Sequence, residues 1–167
     1  MGFFKKLTNK KEKGVDIDYA LYSPLTGIAV PLSEVNDRVF AEELMGKGAA
    51  VIPTVGRVIS PCNGEIISIF RTLHAITIKA DNGAEIIIHV GLETVALDGK
   101  YYESHVQDGQ RVKKGDSLLT FDLHKIKEEG YDVITPIVVT NSSEYQNINM
   151  TEEKEVSCGG LLLSLVK

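Results

Sequence analysis

The sequence contains no tryptophan and only two cysteines among its 167 residues. Cys62 and Cys158 stand too far apart to form a C-x-x-C motif, so we expect a reduced, cytosolic protein. Its apolar runs are all much shorter than the roughly 20 residues that a membrane-spanning helix needs. The first residues also lack the apolar segment of a signal peptide. We therefore expect neither a disulfide-stabilised secreted domain nor a helical membrane protein.

Negative charge is in excess, with a formal net charge of −5, and it is unevenly distributed. Residues 1–14 hold five lysines and one glutamate, so subtracting their +4 from −5 leaves −9 for the rest of the chain. An acidic body argues against nucleic acid as a ligand, because phosphate backbones require a basic face. We expect residues 1–18 to form a flexible basic arm. This arm either stays solvated or touches an anionic membrane through Phe3, Phe4 and Leu7.

Short apolar runs separated by glycine and proline turns make up most of the remaining chain. We predict strands at 17–22, 28–31, 49–53, 55–60, 66–70, 75–80, 84–90, 117–122, 136–140 and 161–166. This pattern predicts an all-β fold, an antiparallel sandwich or barrel, in one domain over residues 19–167. Short helices are expected at 37–44 and at 123–130, the second with Asp122 as its cap.

Two stretches repeat one pattern of residues. SPLTGIAV at 23–30 and SPCNGEII at 60–67 share Ser-Pro-x-x-Gly followed by apolar residues. The pattern is typical of a turn that begins at proline and ends at glycine, after which a strand begins. A third, looser unit is DGQRVKKGDSLLTFD at 108–122. We predict a duplicated half-motif that forms one sandwich, and the alternative is chance similarity between turn-rich segments.

Two of the four histidines, His74 and His89, flank the turn in RTLHAITIKADNGAEIIIHVGLETVAL, residues 71–97. If these strands form a hairpin, an even loop places both imidazoles on one sheet surface, whereas an odd loop separates them. The Asn-Gly pair at 82–83 favours a two-residue loop. We therefore predict that the two rings are neighbours.

A pair of neighbouring imidazoles has three interpretations. The first is two polar residues on an exposed sheet face, and the second is a zinc site with Glu93 as a further ligand. The third is nucleophilic catalysis, in which one neutral ring attacks a phosphoryl group and the other donates a hydrogen bond to it. Nearby residues favour the third. Thr72 can fix the tautomer of His74, and Gly91 lets a backbone carbonyl accept the Nδ1–H of His89, which leaves Nε2 as the nucleophile.

GAEIIIHVGLETVA at 83–96 closely resembles the active-site signature of the glucose-family enzyme IIA of the bacterial phosphoenolpyruvate-dependent sugar phosphotransferase system. FRTLHA at 70–75 is similar to the family's block around its second histidine. NDRVFAEELMGKGAAVIP, SPCNGEI, DGQRVKKGDSLLTFDL and TPIVVTN also fall in the family's order. The resemblance covers residues 19–167, which are identified as one type 1 enzyme IIA domain.

The resemblance implies a β-sandwich that acts as a phosphotransferase through a phosphohistidine. His89 would accept a phosphoryl group on Nε2 from the histidine phosphocarrier protein and pass it to a cysteine on the IIB domain of a sugar permease. His74 would stabilise the phosphoryl group, Thr72 would orient His74, and Gly91 would support His89 through its backbone. The resemblance implies no required cofactor, but zinc shared by His74 and His89 with a partner's carboxylate is an option.

The family's motifs also imply a rim for docking partner proteins around the histidines. Its apolar members would be Val39, Phe40, Leu44, Met45, Phe70 and Ile87. Its acidic members would be Asp37 and Glu93, the latter standing where glucose-type proteins have aspartate. An acidic body suits a basic partner.

Three other functions remain open on the sequence. GQRVKKGDSLL suggests a lipoyl or biotinyl carrier module, but Lys113-Lys114 lacks the methionines that flank the modified lysine of such modules. A zinc hydrolase of related architecture would need a further ligand, such as an H-x-H motif, which the sequence lacks. A regulatory protein, whose binding to targets depends on its phosphorylation, is compatible with the relay.

Overall fold

The computed structural model describes residues 18–167, so the predicted basic arm, with Phe3, Phe4 and Leu7, lies outside the described residues except for Asp18. The strands are β1 (Ala20–Tyr22), β2 (Gly27–Val30), β3 (Lys47–Pro53), β4 (Arg57–Ile59), β5 (Gly64–Ile69), β6 (Ala75–Ala80), β7 (Glu85–His89), β8 (Tyr102–Ser104), β9 (Arg111–Val112), β10 (Ser117–Phe121), β11 (Thr135–Val139), β12 (Asn147–Met150), β13 (Glu155–Val156) and β14 (Leu161–Val166). The helices are α1 (Arg38–Ala41), α2 (Leu123–Glu128) and three 3-10 turns, Leu32–Glu34, Thr94–Leu97 and Ser142–Glu144. None of the described helices has the length and apolarity to cross a bilayer.

The strands form three sheets, and every described pair is antiparallel. The large sheet has the order β13-β2-β3-β11-β7-β6-β5-β9, and the two smaller sheets have the orders β1-β14-β12 and β4-β10-β8. Short strands joined by tight turns thus build an all-β sandwich, as the sequence predicts. Every segment predicted as a strand overlaps an observed one.

The large sheet buries apolar side chains on both of its faces, and strand β7 at its centre is an example. On β7, Ile86 and Ile88 point into the main core, whereas Ile87 points to the opposite face. There a second apolar cluster forms, in which Ile87 packs with Phe40 of α1 and with Leu92. Each isoleucine removed from water contributes roughly 1.5–3 kcal/mol, so both faces hold the sheet in place. The face of Ile87 also carries His89, two residues further along the strand.

The repeated Ser-Pro turns adopt the same local structure. The Ser23 hydroxyl donates to the carbonyl oxygen of Leu25 at 2.6 Å, and the Ser60 hydroxyl donates to that of Cys62 at 2.7 Å. Both serines are fully buried. The two turns are joined by reciprocal backbone bonds between equivalent positions, from the Tyr22 N–H to the Pro61 oxygen at 3.0 Å and from the Ile59 N–H to the Pro24 oxygen at 2.9 Å. This reciprocity supports the predicted duplicated half-motif.

Both predicted helices are present but shorter than predicted. The carboxylate of Asp37 accepts from the Val39 N–H at 2.9 Å and begins α1. The carboxylate of Asp122 accepts from the Lys125 N–H at 3.1 Å and begins α2. Strands β8, β9, β12 and β13 lie outside the predicted strands, because they have two to four residues and mostly exposed or half-exposed side chains, which leaves little apolar pattern.

Replacing Ile137 by alanine should destabilise the fold strongly. Ile137 is fully buried on β11 and lies opposite Ile88 of β7 and Ala49 of β3. We expect a loss of about 2–5 kcal/mol in the free energy of unfolding, because a cavity remains in the main core. Urea denaturation measures this loss. The matched control, Ile67→Ala, alters a side chain that is 52% exposed and should cost about 0.5 kcal/mol or less; equal losses would contradict the assignment of the core.

Candidate active site

The hairpin that carries the two histidines differs from the prediction in its loop. Ala75 is the partner of His89 across β6 and β7, so residues 81–83 form a loop of three residues rather than two. In an uninterrupted ladder this odd register would place His74 and His89 on opposite faces of the sheet. The predicted even loop is therefore wrong.

Turn chemistry explains the longer loop. Gly83 has φ 98, in the left-handed region, and its N–H donates to the Ala80 oxygen at 3.0 Å. The side-chain oxygen of Asn82 accepts from the Ala84 N–H at 3.0 Å. Three-residue hairpin loops often end with a residue in the left-handed conformation, where glycine is favoured. Asn-Gly thus occupies the end of a three-residue loop here and not the centre of a two-residue loop.

The two imidazole rings are nevertheless neighbours. Their centroids lie 4.8 Å apart with the ring planes at 83°. Strand β6 begins only at Ala75, so His74 belongs to the preceding turn, where strand alternation does not decide the direction of a side chain. The predicted proximity of His74 and His89 is confirmed, although the predicted register is not its cause.

The ring of His89 is held by its own backbone. Its Nδ1 lies 2.8 Å from the carbonyl oxygen of Gly91. Because a carbonyl only accepts, Nδ1 carries the proton, and a neutral His89 keeps its free electron pair on Nε2. Gly91 has φ 86, and a Cβ there would lie 2.6 Å from Thr94 Cγ2 and 3.0 Å from the Asp132 oxygen. Only glycine fits this position without displacing its neighbours.

The chain between His89 and Gly91 is fixed through Val90. The Val90 N–H donates to the His74 oxygen at 2.7 Å, which ties the two histidine segments together. The Val90 oxygen accepts from the hydroxyls of Thr94 at 2.7 Å and of Tyr102 at 2.9 Å. These two hydroxyl residues were not predicted. Thr94 follows the signature histidine closely, whereas nothing in the sequence marks Tyr102, since it comes from a different sheet.

His74 is buried, with 2% of its surface exposed. Its Nδ1 lies 2.8 Å from the hydroxyl oxygen of Thr72, so the predicted contact is present. The edge of the Phe70 ring approaches the His74 ring, with centroids 5.5 Å apart. When the Thr72 hydroxyl donates to Nδ1, the proton of the neutral His74 ring resides on Nε2.

Burial keeps both rings neutral. Burial, and to a smaller extent the nearby His89 ring, lowers the pKa of His74 from 6.5 to about 4. Burial also lowers the pKa of His89, while the bond to the Gly91 carbonyl and the charge of Asp37 act in the opposite direction. A neutral His89 is the form that can act as a nucleophile.

The predicted docking residues fall into two groups. Leu44, Val39 and Phe70 are exposed, at 67%, 41% and 39% of their surface. Phe40 and Ile87 are instead buried, with 4% of each exposed, because both pack in the second apolar cluster. Those two were predicted as members of the apolar docking rim, but the structure buries both, with the Phe40 ring centroid 5.1 Å from that of His89.

The remaining predicted docking residues differ in their exposure. Met45 packs partly buried against the second apolar cluster. Asp37 is partly buried at the start of α1, close enough to influence His89. Glu93 is exposed and has φ 59 at the start of the 3-10 turn Thr94–Leu97. The surface therefore combines exposed apolar side chains with two carboxylates.

The structure does not support a zinc site. Within residues 18–167 no three or more histidine, cysteine, aspartate or glutamate side chains are grouped so that they could hold a metal ion. Glu93 therefore does not complete a site with His74 and His89. Two imidazoles fall short of the three or four protein ligands that zinc sites use.

Comparisons with known proteins agree with this geometry. The family described as "phosphoenolpyruvate-dependent sugar phosphotransferase system, EIIA 1" matches residues 19–145. The glucose-specific EIIA component of Bacillus cereus is 49% identical over 148 residues, which cover 89% of this chain and 88% of that protein. The beta-glucoside-specific EIIBCA component of Bacillus subtilis is 47% identical over 145 residues, covering 87% of this chain but 24% of that protein.

A solved structure shows the same architecture. Glucose permease IIA from Mycoplasma capricolum superposes with a TM-score of 0.80 at 33% sequence identity, covering 86% of this chain and 93% of that one. The chain thus belongs to the type 1 EIIA family of the phosphoenolpyruvate-dependent sugar phosphotransferase system. It is a phosphoryl-relay component, a phosphotransferase of sugar transport that acts through a phosphohistidine.

The buried histidine predicts a pH dependence of folding. The unfolded chain protonates His74 near pH 6.5, whereas the folded chain does so only near pH 4, so protons favour unfolding in this window. We expect acidification from pH 7 to pH 5 to remove about 2 kcal/mol of stability through His74.

Urea denaturation at both pH values, for the natural chain and for His74→Gln, measures this effect. The variant should lose less stability on acidification, because carboxylates titrate alike in both proteins. Identical losses in the two proteins would contradict the buried, neutral state of His74.

Proposed function

We propose that His89 Nε2 is the phosphoryl acceptor of this relay protein. The donor is the histidine phosphocarrier protein, and the acceptor downstream is a cysteine on the IIB domain of a glucose-family sugar permease. The observation that carries the proposal is the 2.8 Å contact between His89 Nδ1 and the Gly91 oxygen, which leaves Nε2 unprotonated. His89 is partly exposed at the end of β7, so a partner can reach it.

The first step is an in-line displacement at phosphorus. The electron pair of His89 Nε2 forms a new P–N bond, while the P–N bond to the carrier's histidine breaks and its electron pair stays on that imidazole. The bond formed and the bond broken are of the same kind, which suits a reversible relay. Catalysis then consists of positioning and of stabilising the charge on the phosphoryl oxygens. The Nδ1–H of His89 keeps its carbonyl partner throughout.

His74 stabilises the group in transit. Its ring lies 4.8 Å from that of His89, centroid to centroid, close enough to flank a phosphoryl group on His89. With Thr72 donating to Nδ1, the Nε2–H of His74 is free to donate to a phosphoryl oxygen. Because this donor is fixed before the reaction in a buried place, its hydrogen bond costs little reorganisation.

The second step returns the site to its starting state. A thiolate of the IIB domain attacks the phosphorus, a P–S bond forms, and the P–N bond to His89 breaks. The electron pair returns to Nε2, so His89 becomes a neutral ring again with its proton still on Nδ1. No external acid or base and no cofactor are required for the cycle.

Both partners dock on the same surface, which we define as Val39, Leu44 and Phe70 with the carboxylates Asp37 and Glu93. The three apolar side chains are exposed in the absence of a partner. Exposed apolar groups beside acidic ones suit a partner that brings apolar and basic side chains. The name EIIBCA of the beta-glucoside-specific relative joins an A part to B and C parts in one chain, which supports a IIB partner here.

We further propose that residues 19–167 form a single cytoplasmic domain preceded by a basic arm. The family match begins at residue 19. Cys62 and Cys158 are unpaired, which suits a reducing compartment. Phosphorylation adds negative charge to the docking surface, so regulatory partners that distinguish the two forms can use the same surface.

Two histidine variants test the relay. With phosphoenolpyruvate, enzyme I and the phosphocarrier supplied, His89→Ala should not form acid-labile phosphate, because the acceptor nitrogen is gone. His74→Gln should still be labelled, but it should pass phosphate to a IIB domain at least 100-fold more slowly, because it lacks the donor to the phosphoryl oxygens. Labelling and single-turnover transfer with radioactive phosphate measure both.

The control is His105→Ala, which alters an exposed histidine that contacts Thr120 and should behave like the natural chain. Normal labelling of His89→Ala would overturn the assignment of the acceptor.

Replacing an exposed apolar side chain of the docking surface by a carboxylate should weaken partner binding, because an apolar contact is lost. Leu44→Asp places a carboxylate on a side chain that is 67% exposed, and we expect the KM for the phosphocarrier to rise at least tenfold with kcat nearly unchanged. Steady-state transfer rates at varied carrier concentration give both constants. Val55→Asp, at a side chain that is 50% exposed in the turn between β3 and β4, is the control and should leave KM unchanged. Similar KM values for both variants would exclude Leu44 from the interface.

A further inference from the structure

Leu73 stands between two residues of the site, Thr72 and His74, with an unusual backbone. Its φ is 63, in the left-handed region. Residues other than glycine, asparagine and aspartate rarely adopt this region, because the Cβ atom of an L-residue then crowds the following carbonyl oxygen. Such conformations persist where surrounding contacts enforce them, and they are concentrated at functional sites.

Contacts at both its backbone and its side chain hold Leu73 in this conformation. Its N–H donates to the Phe70 oxygen at 2.7 Å and closes the turn after β5. Its side chain packs against the main core. A Cβ at Gly99 would lie 3.8 Å from Leu73 Cδ1, an ordinary contact distance, so this methyl group lies beside Gly99.

The conformation of Leu73 decides whether Thr72 can reach His74. The hydroxyl oxygen of Thr72 lies 2.8 Å from His74 Nδ1. Both residues stand in the turn before β6, where strand alternation does not fix the direction of a side chain. Since Leu73 is the only residue between them, its backbone angles set the relative orientation of the two side chains. A change of φ at Leu73 would carry Thr72 away from the ring.

We propose that Leu73 is a positioning residue of phosphoryl transfer. Its left-handed backbone places the Thr72 hydroxyl on His74 Nδ1 and so fixes the tautomer that offers Nε2–H to the phosphoryl group. This role rests on the function proposed above for His74. The side chain of Leu73 touches neither the phosphoryl group nor His89 in this mechanism, and it acts only through its neighbours.

Four variants separate backbone conformation from packing. Leu73→Gly and Leu73→Ala both remove the side chain, but only glycine accepts φ 63 without strain. Leu73→Asn loses apolar contact yet tolerates the left-handed region, whereas Leu73→Ile keeps apolar bulk and resists it. A positioning role predicts transfer to a IIB domain at least tenfold faster for Gly and Asn than for Ala and Ile. A packing role predicts the reverse order for Ile and Asn.

A second measurement reports the ring itself. Nitrogen-15 NMR of labelled histidine shows which ring nitrogen carries the proton, and we expect a single tautomer protonated on Nε2 of His74 in the natural chain and in the Gly and Asn variants. The Ala and Ile variants should show a mixture of tautomers. Circular dichroism fixes a temperature at which every variant compared is folded. His74→Gln and Thr72→Val serve as references for a lost donor and a lost hydroxyl.

Equal transfer rates and equal tautomers for Gly and Ala would overturn the proposal. If Leu73→Ile does not fold, the comparison of Leu73→Gly with Leu73→Ala tests the proposal. If Ala does not fold either, Gly must keep the natural tautomer and transfer within about threefold of the natural rate, and slower transfer overturns the proposal. Labelling of His89→Ala would refute the proposed relay instead, and the tautomer of His74 would then still test the role of Leu73.

Discussion

The hydrogen bond between the Nδ1–H of His89 and the carbonyl of Gly91 is the interaction on which the site depends. Burial alone would keep the ring neutral, but it would leave either nitrogen free to hold the proton. The carbonyl removes that ambiguity. Its position requires the left-handed glycine, and it requires the Val90 oxygen to be held by Thr94 and Tyr102. The carbonyl of Gly91 thus links the protonation of His89 to the packing of the two sheets that contain β7 and β8.

The large sheet provides a rigid base because both of its faces are buried near the site. The main core lies beneath β6 and β7, and the second apolar cluster covers part of the other face. The histidines stand where the ladder of β6 and β7 ends. His89 keeps the face that strand alternation gives it, whereas the orientation of His74 is set by the turn before β6. At a strand end the backbone can leave the regular ladder and orient a side chain toward a site. The adjacent strands are rigid and keep that orientation fixed.

Much of this could be predicted from the sequence, and the failures have physical causes. Apolar runs between glycine and proline turns identify the main strands, and Asp122 identifies the start of α2. The edge strands β8, β9, β12 and β13 are too short to show a periodic pattern. The loop at 81–83 has a register that the local sequence leaves open, since Asn-Gly fits loops of two and of three residues. The burial of Phe40 and Ile87 follows from a second apolar cluster that only the tertiary structure assembles.

Asp37 connects two properties that are usually independent. Its carboxylate accepts the Val39 N–H and begins α1, the helix that carries Val39 and Phe40. Its charge also raises the proton affinity of His89 against the effect of burial. The basicity of the His89 ring therefore depends on whether this one-turn helix is intact. Fraying of α1 would change the electrostatics at Nε2 even if no atom of His89 moved.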